Sequence, residues 1–244
     1  MTAPIEVFYW PTPNGWKVTI ALEEMRLPYV LKPVDIMAGD QFKPDFLAIS
    51  PNNRMPAIID PEGPDGKPIS VFESGAILQY LARKCGRFGG VDARHQAEVE
   101  SWLMWQMGGL GPMAGQTHHF RLYAPKAEPD PEKIAYGVNR YTNETTRLYG
   151  VLDKRLADRE FVAGSLSIAD FAIWPWILPE GQGQDIDAFP NLKTWLAHCG
   201  DREAFKKGRA VGEELRKPID SDDEAGRKAR EILFGRTQGG RPPA

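Results

Sequence analysis

The sequence predicts an α/β unit followed by an all-helical unit, and three observations carry that expectation. Up to about residue 86, short apolar runs alternate with helical patterns, whereas beyond it apolar residues recur at three- and four-residue spacing with almost no strand signal. The length of 244 residues suits one large domain or two small ones. With 42% apolar and 26% charged residues, the chain has the balance of a folded protein rather than a disordered one. The expected division is 1–87 for the α/β domain, 92–217 for the helical domain and 218–244 for a polar tail.

Residues 5–10 read as a strand, 14–25 as a helix and 29–34 as a second strand, a βαβ opening whose handedness makes the two strands parallel. The segment 42–49 reads as a short helix, and 57–59 and 69–72 read as strands. PEGPDGKP between those two strands is too short a connection for a crossover, so they are expected to be antiparallel. A helix over 73–85 completes the order β, α, β, α, β, β, α, which is the thioredoxin-like pattern. Further helices are expected at 92–121, 131–157, 167–178, 190–199 and 201–216, with a Pro-rich loop over 124–131. Ser167-Ile168-Ala169-Asp170 before an apolar run is a capping box, in which side chains bond reciprocally to free amides, and it belongs to folding. From 218 onward the composition turns polar, with an amphipathic candidate over 222–234 and an end expected to fray or pack weakly.

Composition narrows the function classes. A net charge of −3 gives no long-range field for gathering nucleic acid or an anionic membrane. The longest uncharged apolar stretch, 171–179, is far below the roughly 20 residues that cross a bilayer. The opening MTAPIEVFYW lacks a basic start and an apolar signal region, so export is not expected. Cys85 and Cys199 are too few for a disulfide framework or a thiolate metal site, which fits a reducing cytoplasm and no metal.

A thioredoxin-like redox protein needs a low-pKa thiolate where the first strand meets the first helix, because free amides and the helix dipole stabilise negative charge there. Here that position reads Pro11-Thr12-Pro13-Asn14-Gly15, without a cysteine. The anion site remains, with a hydroxyl and a carboxamide able to donate to a thiolate, so the sulfur is expected to arrive on the substrate. The same two residues also suit a plain turn and helix cap. Met55-Pro56 before a short apolar strand is a candidate cis peptide that would turn the Met55 backbone toward an extended ligand, the alternative being a trans proline at a strand start. Glu73 and Ser74 set an acid and a hydroxyl at a helix start, suited to an ammonium and a carboxylate, or to capping alone. One ligand carries an α-amino acid head, a thiol and a peptide-like middle: glutathione.

PTPNG, FKPDFLAISPNNRMPAIID, FESGAILQYLA, WQMGGLGPM and HHF lie within a stretch of roughly residues 4–210 that resembles the cytosolic glutathione transferases. They are most similar to the bacterial Nu-class enzymes, which are related to the yeast prion protein's transferase-like domain. The resemblance implies a homodimer with glutathione as bound cosubstrate, strong glutathione-dependent disulfide reduction and weak conjugation. It places Thr12 and Asn14 beside the sulfur as catalytic residues, Met55 on the peptide backbone, and Glu73 and Ser74 on the γ-glutamyl head. Arg54, where the family often has lysine, would hold the glycyl carboxylate through two parallel hydrogen bonds. Gln41 sits where the family contacts glutathione, or is simply solvated. Arg140 would face a second glutathione, or pair with Glu144 at helical spacing. Adjacent residues on a helix point about 100° apart, so His118 and His119 make a poor joint metal site and are given a cleft-wall or interface role. Trp102, Trp105, Trp174, Trp176 and Trp195 are assigned mostly to the core, and Trp10 or Trp16 to the open side of the cleft. Two other functions stay open: conjugation, or ether or halide cleavage, by the same thiolate, and a non-catalytic ligand-carrying or docking module.

Overall fold

A computed structural model describes residues 3–128, 130–216 and 223–234. Its first part runs β1 (Ile5–Tyr9), α1 (Pro13–Met25), β2 (Tyr29–Pro33), α2 (Pro44–Ile49), β3 (Ala57–Asp60), β4 (Ile69–Phe72) and α3 (Ser74–Cys85). The four strands form one sheet in the order β2-β1-β3-β4. β1 and β2 are parallel, while β3 runs antiparallel to both β1 and β4, as the two kinds of connection required. On β1, Ile5, Val7 and Tyr9 are buried and the residues between them are not, the period of two that a half-covered strand imposes. The helix expected over 42–49 is shorter, because a 3-10 turn spans Asp40–Phe42 and Pro44 opens α2 at a position where its missing N–H is not needed.

The second part holds α4 (Ala93–Trp105), α5 (Gly111–His118), α6 (Pro131–Arg155), α7 (Ile168–Ile173), α8 (Pro179–Gln182), α9 (Pro190–Asp201) and α10 (Glu203–Ala210). The helix expected over 92–121 is divided by a π-helical turn at Gln106–Leu110, where the flexible backbone of Gly108 and Gly109 permits the wider winding, and passes into another at His119–Tyr123. The helix expected over 167–178 stops at Ile173, since Pro175 lacks the N–H an α-helix needs and the chain tightens into a 3-10 turn. That expected over 201–216 ends at Ala210, ahead of Gly212 at φ +66°. The Pro-rich segment contains a 3-10 turn, Ala124–Lys126. A last helix, α11 (Glu224–Phe234), falls within the expected tail, and 217–222 and 235–244 lie outside the described residues.

The capping box forms at the start of α7. The buried Asp170 carboxylate accepts the amides of Val162 and Ser167 and the Trp195 indole N–H, each at 3.0 Å. Burial pushes its pKa up to about 6 although these donors oppose the shift.

Helix α1 lies between the sheet and the helical part, which is why every residue from Gly15 to Leu22 is buried. One continuous core includes Val7 and Ile58 of the sheet, Ile20 of α1, and Phe171 and Phe205 of the helices. Across this seam the Thr19 hydroxyl donates to the Gly208 carbonyl at 2.7 Å, the Tyr9 hydroxyl donates to the Val211 carbonyl at 2.8 Å, and Arg202 forks onto Glu24 at 2.6 and 3.1 Å. A β-carbon on Gly208 would stand 2.6 Å from the Ile20 backbone. Gly208→Ala is therefore expected to force α1 and α10 apart and to lower stability by about 1–3 kcal/mol. Urea unfolding with an unshifted midpoint would contradict this close approach.

Candidate functional site

The N-terminus of α1 opens into a cleft of about 750 Å³. Thr12, Asn14 and Lys17 line it from α1; Gln41, Arg54 and Met55 from the sheet-side loops; Gln106, Met107, His119 and Trp176 from the helical part.

Thr12 is the N-cap of α1: its backbone is extended at φ −127° and its oxygen accepts the Gly15 amide at 3.3 Å. The hydroxyl proton goes to the Met55 thioether at 3.5 Å. Capping and cleft-lining therefore coexist in one residue. A thioether is a weak acceptor, so a thiolate can take that proton in its place. The Asn14 carboxamide oxygen accepts the Trp176 indole N–H at 3.0 Å, and its nitrogen bonds to no other described residue. Gly15 is required by space, since a β-carbon there would sit 2.3 Å from the Trp10 carbonyl oxygen.

The Met55–Pro56 peptide is cis. Before it, Asn53 takes φ +48° and the Ser50 hydroxyl donates to the Arg54 carbonyl at 2.8 Å, which fixes the loop and leaves the Arg54 side chain exposed against Asn53 Oδ1 at 2.9 Å. Gln41 is buried. Its nitrogen donates to the Ile36 carbonyl at 3.1 Å, while its oxygen has no partner among the described residues. An orphaned acceptor of this kind costs about 1–3 kcal/mol, which a ligand N–H would relieve.

Glu73 precedes α3 with φ +69° and ψ +118°, a conformation that costs a non-glycine residue on the order of 1–3 kcal/mol. Its carboxylate accepts the Asn52 amide nitrogen at 3.2 Å. Ser74 is buried and its oxygen accepts from Lys17 Nζ at 3.3 Å. Neither Glu73 nor Ser74 lines the cleft itself; Lys17, which does, connects it to Ser74. Arg140 is exposed on α6 outside the cleft lining. Its charge acts on Glu144, whose carboxyl is held below the usual range chiefly by the Arg147 hydrogen bond. Trp10 and Trp16 are both buried: Trp10 packs with Val34 and Phe46, and Trp16 lies under the Arg209 guanidinium at 3.4 Å. The expectation of an open-side tryptophan is met instead by Trp176. His119 lines the cleft, whereas His118 is close to Gly181, where an added β-carbon would lie 2.3 Å from its Nε2.

Three features escaped the sequence reading. Lys17 is 1% exposed, and burial pushes its pKa down to about 7 against the opposing charge of Glu73. The signal for it was that Lys17 is the one charge in the otherwise neutral run 7–22. Gln106, fully buried in the first π-helical turn, accepts from Lys17 Nζ at 2.7 Å. On α11, Ile232, Leu233 and Phe234 form a further wall, and Phe234 stacks on Tyr123 at 5.0 Å with an interplanar angle of 20°. Cys85 and Cys199 lie outside the cleft lining, and burial pushes the Cys199 thiol up, away from reactivity. No group of three or more His, Cys, Asp or Glu suited to a metal occurs among the described residues, and no described helix is long and apolar enough to cross a membrane.

Comparison with known proteins places this geometry in a family. Residues 3–83 match the model of the glutathione S-transferase N-terminal domain. The chain is 48% identical over 203 residues to the disulfide-bond oxidoreductase YfcG of Escherichia coli, an alignment covering 82% of this chain and 92% of that protein. It is 39% identical to the disulfide-bond oxidoreductase YghU of the same organism, over 85% of this chain and 75% of that one. Among solved structures, a Burkholderia graminis glutathione transferase with two glutathione molecules bound per subunit superposes with a TM-score of 0.80 at 43% identity, covering 86% of this chain and 89% of that one. A Pseudomonas putida glutathione transferase with one glutathione disulfide bound per subunit gives the same TM-score at 41% identity, over 86% and 92% of the two chains. With that likeness running along most of both partners in each comparison, the chain belongs to the glutathione transferase superfamily.

Proposed function

We propose that this protein is a glutathione-dependent disulfide-bond oxidoreductase of the Nu class, acting as a cytoplasmic homodimer with weak glutathione transferase activity. The observation that carries the reading is an anion site at the start of α1 whose hydroxyl donor rests on a thioether, in a cleft that no protein cysteine lines. Thr12, Asn14 and the α1 dipole hold a bound glutathione as its thiolate. That thiolate attacks one sulfur of a disulfide, forming a mixed disulfide and expelling the other sulfur as a thiolate. A second glutathione thiolate attacks the mixed disulfide, giving glutathione disulfide and the second product thiolate. Two glutathiones lose one proton each and the two product thiolates take up one each, so the exchange balances without an external oxidant.

For the rest of the tripeptide, Met55 offers its backbone, Arg54 the glycyl-carboxylate contact, Gln41 its orphaned acceptor, and Glu73 and Ser74 the amino-acid head. The orphaned Gln41 oxygen and the strained Glu73 backbone support these roles. Arg140 is assigned to a second glutathione on the family resemblance. The unpaired state of both cysteines supports a reducing compartment. Phe72 and Met104, large apolar side chains left exposed in the single chain, support a two-fold interface.

Glu73→Ala removes a charge-assisted partner of the ligand ammonium, so glutathione affinity measured by calorimetry is expected to fall roughly ten- to a hundredfold. An unchanged affinity would contradict the head-pocket assignment. Reduction of hydroxyethyl disulfide separates the possible sources of sulfur. The variant Cys85→Ala with Cys199→Ala is expected to keep most of its activity, and Thr12→Ala with Asn14→Ala to lose about tenfold or more at neutral pH, one pKa unit being worth about 1.4 kcal/mol. A dead cysteine-free variant beside a normal Thr12/Asn14 variant, both folded by circular dichroism, would make a protein thiol the nucleophile. Light scattering at micromolar concentration is expected to give a dimer mass; a monomer would refute the interface.

A further inference from the structure

Lys17 takes no part in the exchange described above, yet it is 1% exposed, lines the cleft, and joins three elements. Its Nζ reaches Gln106 Oε1 at 2.7 Å in the π-helical turn, Ser74 Oγ at 3.3 Å at the start of α3, and Met107 Sδ at 3.3 Å. The three contacts saturate the three donors of an ammonium. Ser74 Oγ has one further contact, Met107 Sδ at 3.6 Å.

We propose that Lys17 is a positioning residue for ligand binding: by donating to the Ser74 oxygen, its ammonium turns the Ser74 hydroxyl proton outward as a donor to the carboxylate of the ligand's amino-acid head. The inference rests on the glutathione reading above and adds a group that neither the sequence motifs nor the relatives' names assign. A serine hydroxyl has one proton. When Lys17 is an ammonium, Ser74 can only accept from it, and the proton is left for another acceptor. In the unliganded protein that acceptor is the Met107 thioether, weak enough to be exchanged for a carboxylate. When Lys17 is a neutral amine, its lone pair can take the Ser74 proton, and the donor is lost to the ligand.

Binding and protonation are therefore coupled. Burial holds Lys17 near pH 7 in the free protein, and an arriving carboxylate favours its charged form, so its pKa rises in the complex. Below pH 7 the proton is already present and affinity is flat. Above it, the complex must take up a proton that the free protein lacks, and affinity falls with rising pH. Of the charged groups around Lys17, Glu73 just before α3 is the one that acts on it; Arg209 on α10 lies over Trp16. His119 shares the cleft, and burial pushes its pKa down, favouring the neutral imidazole; it is present in both proteins and cancels in their comparison.

The probe is S-methylglutathione, which has no thiol to titrate. Calorimetry at pH 6.5 and 8.0, in two buffers of different ionisation heat, is run on the wild-type protein and on Lys17→Met. Wild-type affinity is expected to fall about five- to tenfold across that range, with net proton uptake at pH 8.0. Lys17→Met is expected to bind about tenfold more weakly at pH 6.5 and to show a flatter pH profile without that uptake. The ligand's own amino group is common to both proteins, so the difference between them reports Lys17. Tight, pH-independent wild-type binding without proton uptake overturns the Lys17 proposal and leaves the glutathione reading standing. No binding at either pH overturns the glutathione reading and the proposal with it. Should Lys17→Met fail to fold, Lys17→Gln, which carries no titrating group but keeps a polar end facing Gln106 and Ser74, takes its place in the same comparison.

Discussion

The burial of α1 on both sides governs the rest of the structure. The sheet covers one face and the helical part covers the other, so every residue from Gly15 to Leu22 is removed from solvent. A helix enclosed in this way has its amides satisfied along its length but leaves the first turn's N–H groups without intrahelical partners. Pro13 has no N–H and Thr12 takes the Gly15 and Trp16 amides, so it is the positive end of the helix dipole, flanked by Thr12 and Asn14, that faces the cleft between the sheet-side loops and the helices. The same enclosure explains Gly15 and Gly208. One lets the chain turn tightly into the helix against the Trp10 carbonyl, and the other lets α10 approach the Ile20 backbone. The anion site is thus a consequence of how the two parts pack.

The second regularity is that donors in and behind this site rest on weak acceptors. The Thr12 hydroxyl faces Met55 Sδ at 3.5 Å and the Ser74 hydroxyl faces Met107 Sδ at 3.6 Å. A methionine sulfur fills space and accepts poorly, so each hydroxyl is held in place without a strong bond that a ligand would have to break. Gln41 presents the reverse case, an acceptor with no donor near it among the described residues. Together with the φ +69° backbone of Glu73, these are the groups that the proposed function assigns to an extended ligand.

Much of this was legible in the sequence because it depends on local chemistry. Short apolar runs marked the strands, Met55-Pro56 marked a candidate cis turn and Ser167 to Asp170 the capping box, since each is decided within a few residues. What failed was local chemistry read at too long a range. Pro175 and Gly212 stop helices that the apolar spacing would continue, and the Gly108-Gly109 pair allows a π-helical turn inside an otherwise regular pattern. Lys17 was invisible for a different reason: its partners Ser74 and Gln106 are 57 and 89 residues away. The Phe234 wall likewise depends on how α11 docks on Tyr123, which no local pattern encodes.

The central claim is that the reactive sulfur is the ligand's own, held at the start of α1. A crystal structure of this protein soaked with oxidised glutathione tests it most directly. Electron density for glutathione is expected against the backbone of Met55, with a ligand sulfur within hydrogen-bonding distance of the Thr12 hydroxyl or the Asn14 carboxamide nitrogen. Glutathione bound elsewhere, or joined to Cys85 or Cys199 through a mixed disulfide while the α1 terminus stays empty, would contradict it.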